Sequence, residues 1–210
     1  MFEPIQPRSN NSMSADEIAD FDKILYELTN NGNMVIKLNL GCGKNKLDDY
    51  VNIDIDPSSA ADIIIDIKQG LPLSAHCVDE ILLFHSIEHI EEKYHNFLLT
   101  EFHRVLKDEA YLYISYPEFK KCATNYINNY KGEREFWKHT IYGLQRSKSD
   151  FHVSLMDTEV FADLLQEIGF KDIEYQPEKD EPFNTILRCR KTIAPRTYED
   201  LVEQEIFHSN

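Results

Sequence analysis

The sequence predicts an α/β fold, a mostly parallel seven-stranded sheet with flanking helices in a Rossmann-like arrangement. Five short apolar runs, rich in Ile, Val and Leu and without alternation, suit strands that are buried on both faces of a parallel sheet. Helical periodicity follows the fourth run, and two further strands complete the sheet. The predicted strands are Val35–Leu40, Tyr50–Ile55, Ile63–Ile67, Glu80–Phe84, Tyr111–Ser115, Asp172–Tyr175 and Thr185–Arg190.

Helices are predicted where apolar residues recur at helical spacing beside capping residues. The predicted helices run from the Ser14-x-x-Glu17 capping box to Asn30, from Tyr94 to near Lys107-Asp108, and from the N-cap Asp157 to Gly169. Only about ten residues separate the first two strands, fewer than a helical parallel crossover needs. We therefore expect the first two crossovers to be turns or single helical turns.

The chain is expected to form one domain at residues 14–191, after a loose arm at residues 1–13. Residues 117–150, between the fifth strand and the next helix, form an insert rich in aromatic and basic side chains. Loops at the carboxyl end of such a sheet are where ligands bind, so this insert is a candidate cap over a substrate. The tail at residues 192–210 is expected to carry at most a short helix.

The composition of the chain limits the classes of partner that we expect it to bind. The chain has 22 Lys and Arg against 37 Asp and Glu, a net charge of −15, so phosphates would be repelled and neither a nucleic acid nor a membrane is expected as a partner. No apolar run approaches the roughly 18 residues of a membrane span. The four cysteines form no C-x-x-C pair, and no secretory signal is recognisable, which predicts a cytoplasmic protein with reduced thiols.

The strongest local signal is a buried strand that runs into a Gly-x-Gly turn at Gly41 and Gly43. Glycines there let the backbone approach a ligand at the carboxyl end of a parallel sheet. Asp54 ends the second run and Asp66 ends the third. Together these groups predict a ligand site across three neighbouring strand ends, although either carboxylate could instead cap a turn.

These segments resemble the motifs of class I S-adenosylmethionine-dependent methyltransferases, in the small-molecule branch termed type 11 or 12. The resemblance rests on LNLGCGKN, YVNIDIDP, DIIIDIKQGLP, VDEILLFHSIEHI and EFHRVLKDEAYLYISYP, and it resumes at DFHVSLMDTEVFADLLQEIGFKDIE. It departs from the family in lacking a third loop glycine, where Lys44-Asn45 follows, and in having Asp108-Glu109-Ala110 in place of Pro-Gly-Gly.

The resemblance implies S-adenosyl-L-methionine as the cofactor and a small-molecule or glycan-like methyl acceptor. Gly41 and Gly43 would pack against the methionine moiety, Asp54 would hold the ribose, and Asp66 with the Ile67 amide would contact the adenine. The implied cofactor site is completed by Leu40, Cys42, Ile55 and His85.

Transfer from a sulfonium is an in-line displacement that needs no covalent residue. A hydroxyl acceptor would need a general base, and histidine titrates in the right range. The candidate catalytic residues are His152 first, then His139 and Tyr142.

Three alternatives were weighed against this interpretation. A nicotinamide-binding fold would need glycine where Lys46 stands and an acidic residue later than Asp54. The run His85-Ser86-Ile87-Glu88-His89 fits the H-x-x-E-H pattern of zinc peptidases, but it follows a strand directly. The methyltransferase interpretation expects no metal. A non-catalytic module that keeps the same fold is the third alternative.

Overall fold

The computed structural model describes residues 35–147 and 150–192, together with residues 18, 21 and 23–26. Within these residues one seven-stranded sheet has the strand order β3-β2-β1-β4-β5-β7-β6. The first five strands are parallel, and β7 lies antiparallel to both β5 and β6. The strands are β1 (Lys37–Leu40), β2 (Val51–Asp54), β3 (Ile63–Ile64), β4 (Val78–Phe84), β5 (Leu106–Pro117), β6 (Phe170–Pro177) and β7 (Asn184–Lys191). The predicted fold class is confirmed.

Residues 18, 21 and 23–26 are helical, and the α-helices whose bounds the structure gives follow β4 in the chain. They are α1 (His95–Val105), α2 (Phe119–Ile127), α3 (Arg134–Tyr142) and α4 (Thr158–Ile168). Helix α4 has the predicted ends: the Asp157 side chain accepts a hydrogen bond from the Glu159 amide, and Gly169 has φ +117 with its N–H bonded to the last carbonyls. The predicted N-terminal capping box, the arm and the tail beyond residue 192 lie outside the described residues.

The short early crossovers are turns, as predicted. Strand β3 is shorter than expected, because the chain leaves the sheet before Asp66 and enters a short 3-10 turn at Ile67–Gln69. Helix α1 also ends before the predicted Lys107-Asp108. Leu106 already pairs with Val78 in the sheet, so β5 begins directly after the helix.

The core lies on both faces of the sheet. The central strands supply fully buried aliphatic residues, and α1 and α4 cover them with further buried apolar side chains. The fully buried members of β1, β4 and β5 include Leu38, Leu40, Ile81, Leu83, Leu112 and Ile114. Within the ranges that the structure describes, no helix is both long enough and apolar enough to cross a bilayer.

Candidate functional site

A tight turn follows β1 at the carboxyl edge of the sheet. Gly41 has φ +66 and Gly43 has φ +52, both in the left-handed region that favours glycine. The amide groups of Gly41 and Cys42 donate to the Ile53 carbonyl at 2.8 and 3.2 Å, which fixes the turn against β2. A Cβ on Gly41 would overlap Ser86 Oγ, whereas a Cβ on Gly43 would have no protein atom within 4 Å. The backbone of Gly43 therefore borders open space.

Asp54 at the end of β2 points into this turn. One carboxylate oxygen, Oδ2, accepts a hydrogen bond from the Gly43 amide at 2.8 Å, and the other, Oδ1, accepts one from the Asp56 amide at 2.8 Å. A carboxylate oxygen has about two acceptor positions. Each oxygen of Asp54 thus keeps acceptor capacity for a ligand that lies over Gly43.

Asp66 caps a turn. Its Oδ1 accepts a hydrogen bond from the Lys68 amide at 3.0 Å, as the N-cap of the 3-10 turn at Ile67–Gln69. The Lys68 ammonium lies 4.0 Å from Asp66 Oδ2 and 3.5 Å from Glu91. The turn-capping interpretation therefore holds for Asp66, while a second function toward a ligand stays a prediction.

Apolar side chains are exposed at the same edge. Ile55 directly follows β2, Ile64 ends β3 and Phe84 ends β4, and their exposed fractions are 50%, 44% and 39%. Neighbouring exposed apolar side chains of this kind are typical of a ligand-binding surface. Ile55 was predicted from the sequence, and Ile64 and Phe84 were not, although each is the last residue of an apolar strand.

Two residues predicted to bind the cofactor contribute little side-chain surface. Leu40 is fully buried in the core, and Cys42 is buried beneath the turn. Burial and the Asp54 and Asp62 carboxylates raise the pKa of Cys42 to about 11, so its thiol is protonated at neutral pH. The side chain of Leu40 belongs to the packing, and only the backbone of these two residues faces the turn.

His85 follows β4 with φ +50, and its amide donates to the Ser115 carbonyl at 2.9 Å. Its Nδ1 lies 3.7 Å from a carboxylate oxygen of Glu88, and its Nε2 lies 3.5 Å from Glu178. Burial disfavours the protonated ring, but the surrounding carboxylates outweigh burial and raise the pKa of His85. The ion pair of His85 with Glu178 therefore connects the end of β4 to the β6–β7 loop.

The structure brings His152 together with two residues of the H-x-x-E-H run. Glu88, His89 and His152 offer ligand atoms that all lie within 4.8 Å of one another, a cluster that the sequence analysis did not predict. His85 and His89 do not share a helical face as zinc peptidases require, because residues Ile87–His89 form only a 3-10 turn. The candidate bases His139 and Tyr142 are exposed, whereas His152 is partly buried.

A groove of about 770 Å³ lies between α2, α3 and the β6–β7 loop, within the usual volume of ligand pockets. Because β5 is parallel to β4 and β4 to β1, the end of β5 and the start of β7 lie at the same edge of the sheet as the Gly41–Gly43 turn. Phe136, Trp137 and Phe183 pack edge to face along it with ring centroids 4.9–5.6 Å apart. These rings pack the insert onto the domain. The groove is also lined by Tyr130 and by the lysines Lys120, Lys121 and Lys131.

No protein-family model matches the sequence, and no curated protein is significantly similar to it. Solved structures are similar at low sequence identity. An S-adenosylmethionine-dependent methyltransferase from Archaeoglobus fulgidus is 13% identical with a TM-score of 0.56, over 83% of this chain and 92% of that chain. A possible histamine N-methyltransferase from Thermotoga maritima is 16% identical with a TM-score of 0.53, over 83% of this chain and 91% of that chain.

Phosphoethanolamine N-methyltransferase 2 from Haemonchus contortus, solved with S-adenosyl-L-methionine, is 13% identical with a TM-score of 0.52, over 82% of this chain and 53% of that chain. Sequence identities this low indicate a shared fold but do not identify the methyl acceptor. In this chain antiparallel β7 lies between β5 and β6. The chain therefore has the fold of the class I S-adenosylmethionine-dependent methyltransferases.

Proposed function

We propose that this protein is an S-adenosyl-L-methionine-dependent methyltransferase that acts on a small-molecule or glycan-like acceptor. The hydrogen bond of 2.8 Å from the Gly43 amide to Asp54 carries the proposal. It fixes a carboxylate with spare acceptor capacity beside a backbone that faces open space. A ligand with a diol and a bulky cationic chain suits this pairing, because the carboxylate attracts cations and accepts hydroxyl donors.

The residues present fit the cofactor. Gly43 leaves room for the methionine moiety, Asp54 accepts from the ribose hydroxyls, and exposed Ile55, Ile64 and Phe84 offer apolar contact to the adenine. Asp66 and the Ile67 backbone stand at the β3 end of the same edge. When bound, the cofactor supplies an electrophilic methyl group on its sulfonium. The work of the chain is then to hold the acceptor in line and to exclude water.

The acceptor is proposed to enter the groove of about 770 Å³ beneath the insert. Its wall combines aromatic rings, lysines and the acidic residues Asp180 and Glu181, which suits a polar ligand with apolar faces more than a purely apolar one. Glycans and small polyols have this character. The same wall would take a phosphorylated small molecule through its lysines.

Among the three proposed bases, His152 is favoured. Burial lowers the pKa of His152 and the Glu88 carboxylate opposes this only in part, so the ring is neutral near pH 7 and can accept a proton. His139 and Tyr142 are more exposed and lie on α3. His152 lines a small cavity beside Glu88 and does not line the groove itself. We infer that His152 acts on an acceptor hydroxyl that reaches this cavity, either directly or through an ion.

Calorimetric titration of the full chain with S-adenosyl-L-methionine tests the cofactor part. We expect one site per chain and a similar site for S-adenosylhomocysteine. Transfer of a labelled methyl group to a panel of hydroxyl- and amine-bearing sugars and polyols tests the acceptor part. Absence of any binding heat would refute the proposal, and binding without transfer to any acceptor would instead favour the non-catalytic module.

A further inference from the structure

One acidic side chain and two histidines come together where the turn at Ile87–His89 meets the segment before α4. Glu88, His89 and His152 bring one carboxylate oxygen and two imidazole nitrogens within 4.8 Å of one another. The two rings meet edge to face, with centroids 4.8 Å apart and planes at 74°.

Glu88 is the unexplained member. Its residue is only 2% exposed, and its Oε2 has no hydrogen-bond partner among the described residues. Oε1 faces His85 Nδ1 only at 3.7 Å, which is long for a hydrogen bond. His85 places charge near Oε1 only, and a buried carboxylate oxygen without a partner is unfavourable unless a donor or a cation compensates it. Oε2 therefore lacks a donor or a cation of its own.

His89 carries the supporting hydrogen bond that metal ligands carry. Its Nδ1 lies 3.0 Å from the Phe151 carbonyl, which leaves Nε2 as the free nitrogen. Metal-binding histidines usually donate their second ring nitrogen to a carbonyl or carboxylate, which fixes the ring and its tautomer. The His89 ring is thus oriented with one lone pair still available, and the partly buried His152 ring packs against it edge to face.

The backbone holds this arrangement in place. The Val153 and Ser154 amides donate to the Glu88 carbonyl at 2.8 and 3.2 Å, and the His152 amide donates to the Tyr142 carbonyl at 3.1 Å. Gly143, with φ +78, permits the close approach, because a Cβ there would overlap the Asp150 carbonyl oxygen. Glu88 and His152 also border a cavity of about 10 Å³, about the size of one water or ion.

We propose that Glu88, His89 and His152 bind one divalent transition-metal ion. Two imidazole nitrogens and one carboxylate oxygen are the ligand set of catalytic zinc and of non-haem iron sites, with positions left open for another ligand. Tetrahedral bonds of about 2.0–2.2 Å place ligand atoms about 3.3 Å apart, so the ligand atoms need to approach one another by at most about 1.5 Å on binding. Magnesium and calcium prefer oxygen ligands and fit this set poorly.

Ser86 links the cluster to the proposed cofactor turn. Ser86, two residues before Glu88, donates its hydroxyl to the Gly41 carbonyl at 3.2 Å, so the cluster and the proposed cofactor turn are adjoining structures. An ion there would bind the acceptor oxygen and lower the pKa of its hydroxyl, with His152 as a ligand and not as the base. This use of the ion rests on the proposed function; binding of the ion does not.

Titration of the chelator-treated full chain with Co²⁺ and Zn²⁺ tests the site, with visible absorption for cobalt and calorimetry for zinc. We expect one equivalent per chain, and no displacement by millimolar Mg²⁺. His152→Ala and His89→Ala should weaken binding by about 10-fold or more. Glu88→Gln keeps the shape of the side chain and should do the same. His139→Ala, on exposed α3, is the matched control and should bind like the wild type.

His85→Ala separates this cluster from the H-x-x-E-H pattern, since it should leave the metal stoichiometry at one. Circular dichroism and thermal unfolding show whether each variant folds. A wild-type chain that binds no equivalent, or a folded His152→Ala that binds like the wild type, would overturn the metal site. Titration with S-adenosyl-L-methionine in parallel tells this failure apart from failure of the methyltransferase proposal, because Gly43 and Asp54 lie outside the cluster. Full activity of the chelator-treated chain would assign His152 to the base role instead.

Discussion

The two glycines of the β1–β2 turn should respond differently to the same substitution. Both have positive φ, +66 at Gly41 and +52 at Gly43. An added Cβ on Gly41 would overlap Ser86 Oγ and lie 2.7 Å from Ser86 Cβ, whereas one on Gly43 would enter open space. Gly41→Ala is therefore expected to act on stability, and Gly43→Ala on ligand binding.

The magnitudes follow from these neighbours. A left-handed conformation costs an L-residue about 1–2 kcal/mol, and loss of the unfolded-state freedom of glycine returns about 0.4–1 kcal/mol. Gly43→Ala should thus lower the free energy of unfolding by about 1 kcal/mol. Gly41→Ala adds an overpacking cost of about 1–3 kcal/mol against Ser86, for a total of about 2–4 kcal/mol.

Urea unfolding measures the stability difference, and calorimetry with S-adenosyl-L-methionine measures binding. Gly43→Ala should weaken cofactor affinity about 10-fold or more, equivalent to at least about 1.4 kcal/mol. In a Ser86→Gly background only the Ser86 Cα remains, at 4.0 Å, so part of the Gly41→Ala loss should be recovered. Wild-type cofactor affinity in a folded Gly43→Ala protein would refute the placement of the ligand over this turn.

Three further outcomes are expected. Asp54→Ala should reduce cofactor affinity about 10-fold, while exposed Asp49→Ala should not, and equal titrations of both would contradict the assignment. Because the pKa of His85 is raised, its ion pairs stabilise the fold below the unfolded pKa of about 6.5 and are lost as pH rises through the higher folded pKa; His85→Gln should therefore destabilise more at pH 6 than at pH 9 in urea unfolding. Leu112→Ala, at a fully buried position of β5, should cost about 2–5 kcal/mol, and a loss under about 1 kcal/mol would argue against the packed sheet.

The five parallel strands were predictable because they are rich in apolar residues. Burial on both faces demands continuous apolar runs, and the chain offers five of them. Strands β6 and β7 have no such run, since β6 is largely exposed and β7 alternates buried and partly buried residues. The predicted ends of α1 and β3 were wrong where two elements of secondary structure can include the same residues. Leu106 continues the helical periodicity of α1, yet its pairing with Val78 places it in β5. Asp66 extends an apolar run, yet its carboxylate caps the following turn and ends β3 early. The local sequence pattern does not show the distant strand or the capping contact that sets the end of such an element.

The meeting of Gly43 and Asp54 in the proposed cofactor site was predictable for a related reason. Parallel strands bring their carboxyl ends to one edge whatever the loops do, so the end of β1 and the end of β2 had to meet. The Asp54–Gly43 hydrogen bond is the local expression of that topology. Ile64 and Phe84 could have been found by the same rule, because each is the last residue of a neighbouring strand.

The meeting of His152 with Glu88 and His89 had no such topological guarantee. It depends on how the insert turns back, which Gly143 permits and which the Val153 amide fixes by bonding to the Glu88 carbonyl at 2.8 Å. In sequence, His85 completes a tempting pattern with Glu88 and His89, but that pattern requires a helix and the chain forms a 3-10 turn. A proposed ligand set that combines residues from distant segments becomes apparent only in the three-dimensional structure. Two histidines and one glutamate therefore fit a peptidase motif in sequence, whereas a different set of the same residue types forms the proposed metal site in three dimensions.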